Sequence, residues 1–218
     1  MTASILSEFE SLQFSVLPCD MRTAVAEIRE QGRRWGKTYS VDRTAPRDIR
    51  QIYCSVNGPE KMPAVDTGVL LGEVGGAHGP RTLFVSSVRD GYNSMICCIS
   101  RQIPGEHLSV RVSRPNVQYP IAELKLVEAF EAKRVVRAMN GDDGWEFFVR
   151  GEPAAFEDVS LYEARRKRDR LTPAIISLYL DRFGYGSLDL DYWIDHRAPA
   201  HLLCEEKFGV AKLPARPA

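Results

Sequence analysis

HLSVRVSRPNVQYPIAELKLVEAFEAKRVVRAMNGDDGWEFFVRG, residues 107–151, is the stretch on which the fold turns. Within it the short segments HLSVRVSR, IAELKLVEAF, KRVVRAMN and WEFFVRG are rich in β-branched and aromatic residues, several of them alternating, and turn residues separate them. Asp143-Gly144, between two apolar segments, suits a tight hairpin, because this dipeptide readily takes the positive φ such turns require. Working outward toward the N-terminus, GVLLGEVGG, RTLFVSSV and SMICCIS continue the pattern, and Asp90-Gly91 marks a second hairpin. Segments joined in this way are antiparallel neighbours, and no helix intervenes. The expectation over residues 67–150 is therefore an antiparallel meander of about five to seven strands, as one twisted sheet or a partly closed barrel.

Past residue 155 the apolar period changes to that of a helix. Ser160 and Glu163 form a capping-box pattern and predict a helix to Arg170. Thr172 and Pro173 read as N-cap and first turn of a second helix, PAIISLYLDRF, which Gly184 ends. Its stripe of Ile175, Ile176, Leu178, Tyr179 and Phe183 must be buried, and the sheet is the nearest surface. The fold class is α+β, with a main domain over 67–207 and a flexible tail over 208–218. Residues 1–66 read as a loop-rich lead-in with one helix, 21–34, capped by Asp20 and stopped by Gly36, and a short strand at Ile52–Val56.

Composition narrows the function classes. The 29 Lys and Arg balance 29 Asp and Glu, so a whole-chain nucleic-acid binder, which would carry a basic excess, is disfavoured. No apolar run is long enough to span a bilayer, and MTASILSEFESLQF has Glu8 and Glu10 where a secretory signal has Lys or Arg. No membrane association is expected. The five cysteines are an odd number without framework spacing, which predicts reduced thiols in a cytoplasmic protein.

The charges are distributed unevenly. Arg165, Arg166, Lys167, Arg168 and Arg170 stand against Glu163 and Asp169 on the first predicted C-terminal helix. Pairs four residues apart, the helix dipole or plain solvation would account for them; so would an acidic partner. Downstream, Asp189, Asp191, Asp195, Glu205 and Glu206 make an acidic segment that also carries Tyr192 and Trp193. Either the two segments pair within the fold, or they leave a bipolar surface suited to a charged protein partner.

Catalytic patterns are sparse. Asp189-x-Asp191 has the form of a Mg²⁺-holding pair but no phosphate-gripping loop accompanies it, and His196, His201 and Cys204 lack the paired spacing of a zinc site. The glycines of GEVGGAHG precede a strand instead of a helix, so they form a hairpin connection and no phosphate cradle. Cys97 and Cys98, read as strand neighbours, have no activating cation beside them, and Ser86 and Ser87 lack a nucleophile elbow.

The expected function is non-enzymatic binding of another protein, in the manner of small bacterial toxin-neutralising (immunity) proteins or effector adaptors, with no cofactor and no metal. The contact residues are Arg165, Arg166 and Arg168 for an acidic partner, or Asp189, Asp191, Tyr192, Trp193 and Asp195 for a basic one. The alternative is a small hydrolase or transferase using the C-terminal aspartates and histidines, which would gather in one concave pocket.

Overall fold

The computed structural model describes residues 4–53, 67–74, 79–88, 91–185 and 188–206. In chain order the elements are β1 (Ser11–Leu17), α1 (Met21–Arg34), β2 (Tyr39–Asp42), β3 (Pro46–Asp48), β4 (Gly68–Val74), β5 (Arg81–Ser86), α2 (Asn93–Ile99), β6 (His107–Ser113), β7 (Ile121–Glu128), β8 (Glu131–Gly141), β9 (Gly144–Arg150), α3 (Pro173–Phe183), the single turn α4 (Leu190–Trp193) and β10 (Ile194–Glu205). The ten strands form one antiparallel sheet in the order β2-β10-β4-β5-β1-β6-β7-β8-β9, with β3 pairing β10 beside β2. The fold is α+β, as expected, but the sheet is larger than residues 67–150 supply. It remains open, with β2 and β9 at the ends of its path.

Strand alternation divides the core between the two faces. On one face Leu17, Val69, Leu71, Phe84 and Leu203 pack against Ala24, Val25 and Ile28 of α1 and Met95, Ile96 and Ile99 of α2. On the other, Phe14, Val16, Leu70, Val85, Leu108, Val110, Leu124 and Val136 meet Ile176, Tyr179 and Leu180 of α3 and Trp193 of α4. Helices therefore cover both faces, and the C-terminal ones cover only one.

Several predicted elements stand where expected. Asp20 Oδ1 accepts a hydrogen bond from Thr23 N at 2.7 Å, and α1 runs Met21–Arg34. Thr172 Oγ1 accepts from Ile175 N at 3.3 Å, Pro173 opens α3 and Gly184 closes it. The GEVGGAHG segment joins β4 to β5 in antiparallel register, Val74 opposite Arg81, although residues 75–78 lie outside the described residues.

Several differences follow from physical competition that the pattern does not reveal. SMICCIS is α2, not a strand: Met95, Ile96 and Ile99 share a buried side, and the chain enters the helix through Tyr92 in the left-handed region (φ 58) without a side-chain cap. The turn at Gly91 therefore leads into a helix instead of a hairpin. The predicted helix over 160–170 is replaced by two 3-10 turns, Val159–Glu163 and Lys167–Asp169, with Ala164 and Arg166 extended between them. There Asp158 accepts from Ser160 N, and the crowded cations lose the helical geometry that would stack them.

The lead-in contributes β1, a central strand between β5 and β6, as well as β2 and β3 at one end of the sheet. The acidic segment contributes β10, which pairs β2, β3 and β4. Of the predicted strand at Ile52–Val56, Ile52 and Tyr53 follow a 3-10 turn and the remainder lies outside the described residues, as does the predicted tail.

Candidate functional site

The basic segment is built outward from a buried ion pair. Arg134 of β8 and Glu157, with side chains 3% and 0% exposed, pair at 2.6 Å. The Glu157 carboxylate also accepts from Ala154 N at 3.0 Å and Tyr162 Oη at 2.7 Å. Tyr162 in turn packs on Phe147 of β9, ring centroids 5.4 Å apart. Arg170 donates through Nε to the Ala164 carbonyl at 2.8 Å and lays its guanidinium over the Phe147 ring. These contacts fix both ends of the two 3-10 turns against the sheet.

Between those anchors Arg165, Arg166, Lys167 and Arg168 are exposed. Arg168 approaches its neighbour Asp169 at 3.6 Å, and both side chains are half in solvent, so the contact stabilises little. Beside this basic turn opens a cleft of about 490 Å³, whose lining includes Trp145, Pro115, Pro120, Pro173 and the adjacent Arg168 and Asp169. Trp145 faces the α3 side of the sheet with Phe147, whereas Phe148 emerges on the opposite side, 43% exposed, under the Arg137 guanidinium.

The acidic segment is spent differently. Asp195 lies 3.5 Å from the Arg47 guanidinium, which also stacks over the Tyr192 ring at 4.4 Å. Next to it Asp48 holds Arg50 at 2.7 Å and His196 at 3.8 Å. The counter-charges to Asp195 and Glu205 are thus Arg47 of β3 and Lys37, the latter at 2.7 Å, and not the basic turn. Trp193 is fully buried against Phe14, centroids 4.8 Å apart, and so is a core residue instead of a surface contact. Tyr192 is only partly exposed beneath Arg47, Asp189 bridges to Ser4 through the backbone, and Asp191 is exposed.

The carboxylates and imidazoles of the enzymatic alternative do not converge. His196 sits in the Asp48–Arg50 seam, while His201 stands opposite Leu71 in the body of β10. No group of three or more His, Cys, Asp or Glu is arranged to hold a metal ion among the described residues. Burial pushes the Cys97 and Cys204 thiols upward, away from thiolate formation. No helix among the described residues is long and apolar enough to cross a membrane.

Sequence reasoning found the basic turn but missed the Arg47 seam and the cleft. Arg47 carries no local signal, since its partners Asp195 and Tyr192 come from the far end of the chain. Trp145 was visible as an aromatic on a strand, but which face it shared depended on the helix packing. Compared with protein-family models, with curated proteins and with solved structures, the chain gives no match.

Proposed function

We propose that the protein is a binding module that receives an acidic segment of another protein at the basic turn and its adjoining cleft. The observation that carries this reading is the anchored turn on which Arg165, Arg166 and Arg168 are exposed, with Arg168 lining a cleft that Trp145 and prolines also wall. Forked guanidinium groups favour carboxylates, and an aromatic and proline wall accepts an apolar side chain beside them. Because Arg170, Tyr162 and the Arg134–Glu157 pair already hold the turn, little ordering entropy is lost on docking. Toxin neutralisation and effector escort are special cases of such binding.

The reading is tested by affinity capture from lysate with the wild type beside Arg165→Glu/Arg166→Glu/Arg168→Glu and Trp145→Ala variants. A partner that is lost from both variants supports it. A partner retained equally by all three proteins rules this surface out.

A further inference from the structure

A second charged surface lies at the other end of the sheet, and the basic turn plays no part in it. On the exposed side of α1, Arg22, Arg29 and Arg33 recur at helical spacing, forming one row along the helix axis. Facing them are the start of β2 and Arg43 just beyond it. Together with Lys37 they enclose a furrow of about 500 Å³ whose floor includes Val25 and Ala26. At one end of the furrow β2 comes close to the helix: a Cβ at Gly32 would lie 2.5 Å from the Tyr39 ring.

The charge in this furrow is one-sided. Five cations line it with a single carboxylate, Glu30, and that carboxylate is already held by Arg33 at 2.9 Å and Arg34 at 3.2 Å. Lys37 is committed to Glu205 at 2.7 Å. Arg22, Arg29 and Arg43 make no ion pair among the described residues. In a chain of zero net charge, a concave surface with this excess is complementary to an anionic ligand.

We infer that the furrow binds an extended, carboxylate-rich polypeptide segment. β2 ends the strand path, and no strand pairs its outer side among the described residues. An extended segment can therefore add along β2 through backbone hydrogen bonds, with alternate side chains turned toward the arginine row. The floor argues for polypeptide over nucleic acid. Ala26 is aliphatic and exposed, whereas Tyr39, the aromatic among the described lining residues, is 2% exposed and offers no face for a base to stack on. Alternating acidic and aliphatic residues fit both the walls and the floor.

The test is fluorescence anisotropy with two labelled probes on the full chain: a short peptide of alternating Glu and Val, and an oligothymidylate of the same charge. The peptide binds wild type at low salt, and Arg22→Glu/Arg29→Glu weakens it by roughly tenfold or more. The Arg165→Glu/Arg166→Glu variant, altered at the basic turn, binds the peptide in the furrow as wild type does. Both targeted arginines are exposed, so thermal melts of the variants stay close to wild type, and Arg22→Gln/Arg29→Gln gives a milder loss if charge reversal perturbs folding. Absence of peptide binding at low salt overturns the inference. So does binding indifferent to Arg22 and Arg29, or tighter binding of the oligothymidylate through the same arginines.

Discussion

The Arg134 guanidinium and the Glu157 carboxylate meet in the interior at 2.6 Å, one from the middle of β8 and the other from the chain that leads into the basic turn. Two charges so far from water are tolerable only while each compensates the other. Glu157→Ala leaves the guanidinium buried without its counter-charge and is expected to cost about 3–5 kcal/mol in urea unfolding. The double variant Arg134→Met/Glu157→Leu, which removes both charges, is expected to recover most of that loss. A single variant as stable as the double would refute this account of the pair.

Acid sensitivity should set in through two groups. Burial of Glu157 opposes ionisation, but hydrogen bonds from Arg134, Ala154 N and Tyr162 outweigh it and hold the carboxyl below its ordinary value of 4.5. Its stabilising contribution is complete above that value and is lost as pH falls through the lower folded one. Burial pushes the His107 imidazole from 6.5 down to about 4, so between those values the unfolded chain takes up a proton that the folded chain refuses. Urea midpoints should fall as pH drops from about 6.5 toward 4, and His107→Gln should flatten that upper limb. A wild-type midpoint constant from pH 6.5 to 5 contradicts the assignment.

The β7–β8 hairpin turns through Ala129 and Phe130, both at positive φ (48° and 75°) and neither the glycine or asparagine such turns favour. A left-handed alanine costs about 1–2 kcal/mol. Ala129→Asn is expected to raise stability by about 1 kcal/mol, read as a higher urea midpoint. Phe130 is best left in place, since Arg101 stacks on its ring at 4.1 Å and Ser100 Oγ accepts from its backbone N at 2.9 Å. An unchanged or lowered midpoint for Ala129→Asn would show that the turn is not strained.

Just after β9 the chain passes so near β8 that a Cβ on Gly151 would stand 1.8 Å from the Lys133 carbonyl oxygen, at a φ of +80°. Gly151→Ala is expected to destabilise by more than about 1 kcal/mol and to loosen the route into the basic turn. Thermal melting together with limited proteolysis after residue 151 would register both effects. Wild-type behaviour in both would show that the backbone relaxes freely there.

What could be read from the sequence was whatever local chemistry decides. Caps at Asp20 and Thr172 and alternation in β6 to β9 needed no partner to be recognised. SLQFSVL gives little strand signal, because β1 buries residues on both faces and carries no adjacent hairpin dipeptide. Ile194–Glu205 lies inside the stretch 184–207 that reads as acidic, where Asp195, His196 and Pro199 mask the strand, whose register is irregular between Asp195 and Pro199. The arginines of the basic turn can be named from the sequence, whereas the cleft beside them cannot, because it forms where the β6–β7 connection, the start of β7, Asn140 and Trp145 meet the loop entering α3. Trp193 misled for a related reason: acidic neighbours suggested a surface, but the single turn of α4 rotates its ring inward onto Phe14.

The insertion of β10 between β2 and β4 has a consequence for biosynthesis. Lys37 and Glu205, which clasp at that junction, are 168 positions apart. Until β10 has been synthesised, β2 lacks the strand it pairs with, so the arginine-walled furrow stands beside an unsupported ribbon. Completion of that surface thus waits on the synthesis of β10, whatever order the intervening strands reach first.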